Sequence, residues 1–127
     1  APLMARAHEE LWLDRLSSMG ASFFPDCRVD DRENFSPSII SFAFPPLPGE
    51  VLTRLLAERN VYVGTGSACG QHKKDRLRVL TCMGINTKIA QCAVRVSFSN
   101  EIPLQHSCLA LDILEDIIQK QRKILHF

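Results

Sequence analysis

In Val63-Gly64-Thr65-Gly66-Ser67-Ala68-Cys69-Gly70, three glycines and three small residues surround a single thiol. Little side-chain bulk shields the sulfur, and the backbone is free to move. His72, Lys73 and Lys74 follow, and a helix is expected to start near Lys74. Cationic charge and a helix N-terminus both favour a thiolate, so Cys69 has the surroundings of a nucleophilic cysteine. The same composition also suits the bland alternative, a small buried hydrophobe, which is the usual fate of a free cysteine. A phosphate cradle is a third use of such a loop. It fits poorly, because the segment lacks the Gly-Lys-Ser/Thr ending of a P-loop and a dinucleotide fingerprint would need a third glycine where Cys69 stands.

Arg95, on an alternating stretch beside Ser97, is the second candidate. A strand arginine on a polar face can present its planar guanidinium to a carboxylate in bidentate fashion, and its ordinary alternative is a surface salt bridge. For Cys27, Cys82, Cys92 and Cys108 the packing role is expected: three fall in regular elements and Cys27 has no cationic helix start beside it. Five cysteines with no Cys-x-x-Cys pair argue against a disulfide framework and against a structural zinc site, and they fit a reducing cytosol.

The elements that must hold these residues follow from periodicity. Met4, Ala7, Leu11, Trp12, Leu16 and Met19 recur at helical spacing, and Gly20 is a natural stop. Phe23-Phe24 suits a short strand, and Asp26 to Asn34, charged and aperiodic, reads as an exposed loop with a mobile tip. Pro37 to Phe44 is β-rich and apolar on both faces, so it should be a central strand. Pro48 is placed as the first residue of a helix that ends near Asn60, and Val61 to Val63 reads as a short β segment feeding the glycine-rich loop. A helix from Lys74 to Met83 capped by Gly84 and a brief helical turn from Asn86 to Gln91 come next. Cys92 to Phe98 alternates, with Val94, Val96 and Phe98 toward the core and Ala93, Arg95 and Ser97 away from it. The last helix runs from Pro103 to about Leu125, with Leu104, Leu111, Leu114, Ile118 and Leu125 on its apolar stripe, and should cover the sheet. The expected fold is α/β, a two-layer sandwich in which helices cover a small, mainly antiparallel or mixed sheet.

The 127 residues are 46% hydrophobic and carry a net charge of +1, the size and composition of one domain, with no electrostatic footprint for nucleic acid. No apolar run is long enough to cross a bilayer, and the charged N-terminal segment does not resemble a signal peptide, so a cytoplasmic protein is expected. Ala1-Pro2 has the look of a boundary within a longer protein.

From about Ser36 onward the chain resembles the small C-terminal domain of the pyridoxal-phosphate-dependent cysteine desulfurases, of the class V aminotransferase group. The likeness rests on Ser36-Pro37-Ser38-Ile39-Ile40-Ser41-Phe42, on Pro48-Gly49-Glu50-Val51-Leu52, on Gly66-Ser67-Ala68-Cys69, and on the interval from Cys69 through Gly84 to Ala93-Val94-Arg95-Val96-Ser97. The resemblance implies that pyridoxal phosphate activates L-cysteine, that the Cys69 thiolate takes its sulfur as a persulfide with release of alanine, and that Arg95 binds the substrate α-carboxylate. It implies a sulfur-acceptor protein, a route to iron–sulfur clusters or thiolation, and a homodimer for the full-length enzyme. Residues 1–127 then form a single domain, with 1–20 as the helix linking to a missing large domain and 21–127 as the small domain. The family's cofactor-bearing lysine motif has no counterpart among Lys73, Lys74, Lys88, Lys120 and Lys123, so this chain alone is expected to bind no pyridoxal phosphate and to turn over no cysteine. The sequence departs from the family at Gly70-Gln71-His72-Lys73-Lys74, at Ser99 and at Ile102-Pro103. Two other readings stand beside this one: a selenocysteine lyase domain, and a non-catalytic sulfur carrier or interaction module.

Overall fold

A computed structural model describes residues 3–64 and 86–127. The helix expected over Lys74 to Met83, its cap at Gly84, and Cys82 lie outside the described residues. Helix α1 (Leu3–Met19) leads into the short strand β1 (Ser22–Phe23), a 3-10 turn over Asp26–Arg28, strand β2 (Ile39–Ala43) and helix α2 (Gly49–Glu58). A single turn, α3 (Thr87–Ala90), precedes strand β3 (Val94–Ser97) and the long helix α4 (Leu104–Leu125). The strands form an antiparallel sheet in the order β1-β2-β3, so β2 is central as its apolar content requires.

One core lies between the sheet and the helices. Ile40 and Phe42 of β2 and Val94 and Val96 of β3 meet Leu13 and Leu16 of α1, Leu52 and Leu56 of α2, and Leu111, Leu114 and Ile118 of α4. Helix periodicity supplies one stripe from each helix and strand alternation supplies one face of the sheet, and joining them removes both from water. Trp12 sits at the centre, with ring centroids 6.3 Å from Phe42 and 5.7 Å from Phe98. Residues 1–20 therefore contribute core side chains, whatever they connect to.

The helix ends follow their chemistry. Gly20 takes φ +84°, and its amide donates to Ser17, closing α1 in the left-handed conformation glycine tolerates. The guanidinium of Arg122 donates to the Met19 carbonyl and lies over the rings of Phe44 and Phe127, tying the end of α1 to α4. Asn100 accepts from the amide of Ala5 at 3.3 Å, satisfying one of the donors that the first turn of α1 leaves open. Pro48 and Pro103 cap α2 and α4 in extended conformation, so each helix begins one residue later than the sequence suggests.

Other expectations need correction. The segment Asp26 to Asn34 is not simply exposed: Arg28 is 2% exposed and its Nη2 reaches the buried Glu9 carboxylate at 2.6 Å. Nothing in local periodicity announces an arginine that turns inward to meet a helix nineteen positions earlier. Val61 to Val63 forms no strand; only Gly64 pairs, as an isolated bridge. The regular strand expected from Cys92 to Phe98 is confined to Val94–Ser97, and Ala93, placed on the polar side by alternation, is buried against Phe24, Ala43 and Ala90. A Cβ on Gly49 would come 2.4 Å from the Ala93 carbonyl oxygen, so α2 begins directly against the entry to β3. Leu104 and Leu125 lie beyond the contact length of α4 and are exposed. Cys27 and Cys108 are exposed rather than packed, whereas Cys92 is buried.

Candidate functional site

The alternation of β3 turns Val94 and Val96 into the core and leaves Arg95 and Ser97 exposed on the opposite face of the sheet. Register adds the neighbours. Ser41 stands opposite Arg95 and Ile39 opposite Ser97, so these four residues share the face turned away from the main core, whose other end, at Ala43, packs against Ala90 and Ala93. Ile39, at the start of β2, is 45% exposed there, while Ala43 at its other end is fully buried.

Arg95 is also joined to the glycine-rich segment. Its amide donates to the Gly64 carbonyl at 2.6 Å, and its carbonyl accepts from the Gly64 amide at 2.9 Å. This reciprocal pair makes Gly64, the first residue of the segment leading to Cys69, an added rung beside β3. Cys69 and the rest of that loop lie outside the described residues. What is described is the stem, and the stem is fixed to the strand that carries the arginine.

The Gly64 pair settles a further point of geometry. With its amide and carbonyl turned toward Gly64, Arg95 cannot also bond to β2. Ser41 in turn directs its carbonyl the other way, to the amide of Phe24 at 3.1 Å. The amide of Phe98 donates to Ser38 at 2.7 Å, in step with the same alternation. Ser41 and Arg95 are thus a non-hydrogen-bonded pair, the closer of the two antiparallel kinds, with Cα atoms about 4.5 Å apart.

Electrostatically, Arg95 stands open. It takes part in none of the ion pairs among the described residues, which use Arg6, Arg15, Arg28, Arg32, Arg59 and Lys120. An apolar groove of about 460 Å³ runs beside Tyr62 and Val63, over Trp12, Val96 and Phe98, but Arg95 is not part of its wall. Ser97, two residues along β3, does line it.

Sequence reasoning missed the polar cluster beneath α1. The Trp12 indole donates to the Ser107 hydroxyl at 2.8 Å, that hydroxyl bonds to Nδ1 of His8, and Nε2 of His8 donates to the Ile102 carbonyl at 2.8 Å. Every polar atom of this buried chain is satisfied when His8 is neutral with its proton on Nε2. The cluster ties α1 to the start of α4. Its only sequence signal is a histidine at a position on the apolar side of α1.

The remaining described thiols differ in setting. Cys92 donates to the Lys88 carbonyl, with the sulfur 3.3 Å from the oxygen, and burial pushes its thiol up from 9.0. Among the described residues no group of histidine, cysteine or carboxylate side chains is arranged to hold a metal ion, and no helix is long and apolar enough to cross a membrane. Lys88, Lys120 and Lys123 are exposed, and Lys120 is paired with Asp116 at 3.0 Å. None of these three is enclosed beside an aromatic platform or phosphate donors, so the described residues do not fit a covalent pyridoxal phosphate site.

No family model matches the chain. Individual proteins do. A NifS/IcsS protein homolog of Lactobacillus delbrueckii subsp. bulgaricus is 33% identical over 95 residues, which are 75% of this chain and 25% of that protein. The cysteine desulfurase IscS of Dictyoglomus turgidum is 31% identical over 93 residues, 73% of this chain and 24% of that protein. A solved structure of a NifS-like protein superposes with a TM-score of 0.72 at 25% identity, covering 91% of this chain and 27% of the other. The chain matches one part of a cysteine desulfurase. It spans about a quarter of the length of these relatives. The α/β fold described above is the fold of the matching part of that NifS-like structure.

Proposed function

We propose that this chain supplies the sulfur-accepting and carboxylate-binding half of a cysteine desulfurase. Arg95 binds the α-carboxylate of L-cysteine through paired N–H donors, and the thiolate of Cys69 attacks the substrate sulfur. The new S–S bond forms as the substrate carbon–sulfur bond breaks, and the electron pair left on carbon takes up a proton. The products are alanine and a persulfide on Cys69, which an acceptor protein then discharges. Pyridoxal phosphate supplies the electron withdrawal that weakens the carbon–sulfur bond. We assign its binding to the portion of the relatives that this chain does not match, and the chain alone to no turnover.

The observation that supports this reading is the reciprocal Gly64–Arg95 pair. The anchor must stay fixed while the nucleophile travels between substrate and acceptor. A strand arginine with a mobile-composition loop rooted on its own backbone meets both needs. Its open guanidinium, without an acidic partner among the described residues, is what a carboxylate anchor requires.

The test uses the thiols of the chain as internal controls. The protein is treated with a low-molecular-weight persulfide, trapped with an alkylating mass tag and mapped by peptide mass. Sulfur is expected at Cys69 in preference to the exposed Cys27 and Cys108. Equal labelling of the three, or labelling that survives Cys69→Ser at the same total, refutes the assignment. Supplied with pyridoxal phosphate and L-cysteine, the chain alone is expected to release no alanine; steady alanine release sinks the division of labour.

A further inference from the structure

We propose that Ser41 is a positioning residue for the Arg95 guanidinium, accepting one of its N–H groups as a carboxylate binds. The inference rests on the reading of Arg95 as the substrate anchor. It starts from the close, non-hydrogen-bonded pairing of the two residues on the face turned away from the main core, fixed by Gly64 on one side and Phe24 on the other. In a pair of this kind the Cβ atoms stand about 4.5–5.5 Å apart, so an Arg95 side chain laid across the pair can bring its Nε–H to the Ser41 hydroxyl.

The chemistry of the pair is complementary. A guanidinium has five donors and no acceptor, while a serine hydroxyl accepts and donates at once. Ser41 can accept one N–H of Arg95 and turn its own O–H toward the bound carboxylate, leaving the other edge of the fork for bidentate contact. Both groups are uncommitted: Ser41 and Arg95 make no side-chain hydrogen bond or ion pair among the described residues. Ser97, a further hydroxyl on this face, is two residues along the same strand and stands opposite Ile39, so it is farther from Arg95 than Ser41 is.

An exposed arginine has many rotamers, and each one frozen on binding costs affinity. A neighbouring acceptor that engages the guanidinium as the carboxylate arrives offsets part of that cost, which is the role assigned to Ser41. Phe42, next in the chain, is fully buried, so the strand that carries Ser41 has little freedom to shift.

The test reads Arg95 directly. The chain is labelled with nitrogen-15 at arginine, the Nε–H resonance of Arg95 is assigned by its loss in Arg95→Lys, and L-alanine is titrated at constant ionic strength, with ethylamine as a control lacking the carboxylate. The wild type is expected to show a saturable shift with L-alanine only. Ser41→Ala is expected to weaken the apparent affinity about threefold to tenfold, the loss of one charge-assisted hydrogen bond, and Ser41→Thr to restore it. Unchanged backbone amide spectra away from the site show that Ser41→Ala keeps the fold. Equal affinity in the wild type and Ser41→Ala overturns the Ser41 proposal and leaves the Arg95 reading standing. Absence of a carboxylate-dependent shift in the wild type overturns both.

Discussion

Replacing Arg28 by methionine should destabilise the protein by about 3–5 kcal/mol, because it removes one half of a buried ion pair. Arg28 is 2% exposed, and its Nη2 donates to Glu9 at 2.6 Å, to the Ser36 carbonyl at 3.1 Å and to the Ile39 carbonyl at 3.3 Å. Its guanidinium also lies 5.2 Å from the centroid of the Phe35 ring. After the substitution the fully buried Glu9 keeps only Arg6, at 2.7 Å, as an ion-pair partner among the described residues. The two carbonyl bonds are longer and partly open to water, so most of the loss is the stranded carboxylate. For a domain of this size the expected fall in Tm is roughly 10–20 °C.

The double substitution Glu9→Met with Arg28→Met supplies the decisive comparison. It removes both charges together and replaces them with side chains of similar volume, while Arg6, one-third exposed, is released to solvent. The native pair is itself incompletely satisfied, since Nη1 of Arg28 has no hydrogen-bond partner among the described residues. The double variant should therefore lie within about 1.5 kcal/mol of the wild type. Urea unfolding followed by fluorescence of Trp12, the single tryptophan and a buried one, with circular dichroism as a second probe, measures all three proteins. A single variant that loses less than about 1 kcal/mol, or a double variant no more stable than the single, would refute the stranded-charge argument.

Ser107→Ala should cost about 2–4 kcal/mol in the same unfolding assay, because it orphans the Trp12 indole N–H and Nδ1 of His8 in the interior; a cost below about 0.5 kcal/mol would mean that water or a rearranged side chain replaces the hydroxyl. Cys92 should react with iodoacetamide far more slowly than Cys27 and Cys108 under native conditions, and equal rates by peptide mass would contradict its burial. Because burial pushes the Cys92 thiol above 9.0, the folded state retains that proton longer than the unfolded state does. Its contribution to stability is complete below pH 9.0 and is lost as pH rises through and beyond that value, so Cys92→Ala should flatten the alkaline fall in stability.

Periodicity was enough to locate most elements. The helical state of α1, its stop at Gly20, the central position of β2 and the alternation of Val94, Val96 and Phe98 are all local patterns; of the stripe expected on α1, Trp12, Leu16 and Met19 are buried, but Met4 is exposed and Ala7 and Leu11 are half-buried. The resemblance to cysteine desulfurases was likewise legible from short motifs at fixed intervals, and similar proteins agree with it. What no local pattern contained is which strand lies beside which, and in what register. Arg95 meets Gly64 through the backbone, where side-chain identity leaves no trace, and it meets Ser41 only because the core faces of β2 and β3 must align. The inward turn of Arg28, the seating of Ser107 between Trp12 and His8, and the exposure of Cys27 and Cys108 have the same origin. Each is decided by the packing of segments far apart in sequence, a sum over the whole chain that no single window of residues holds.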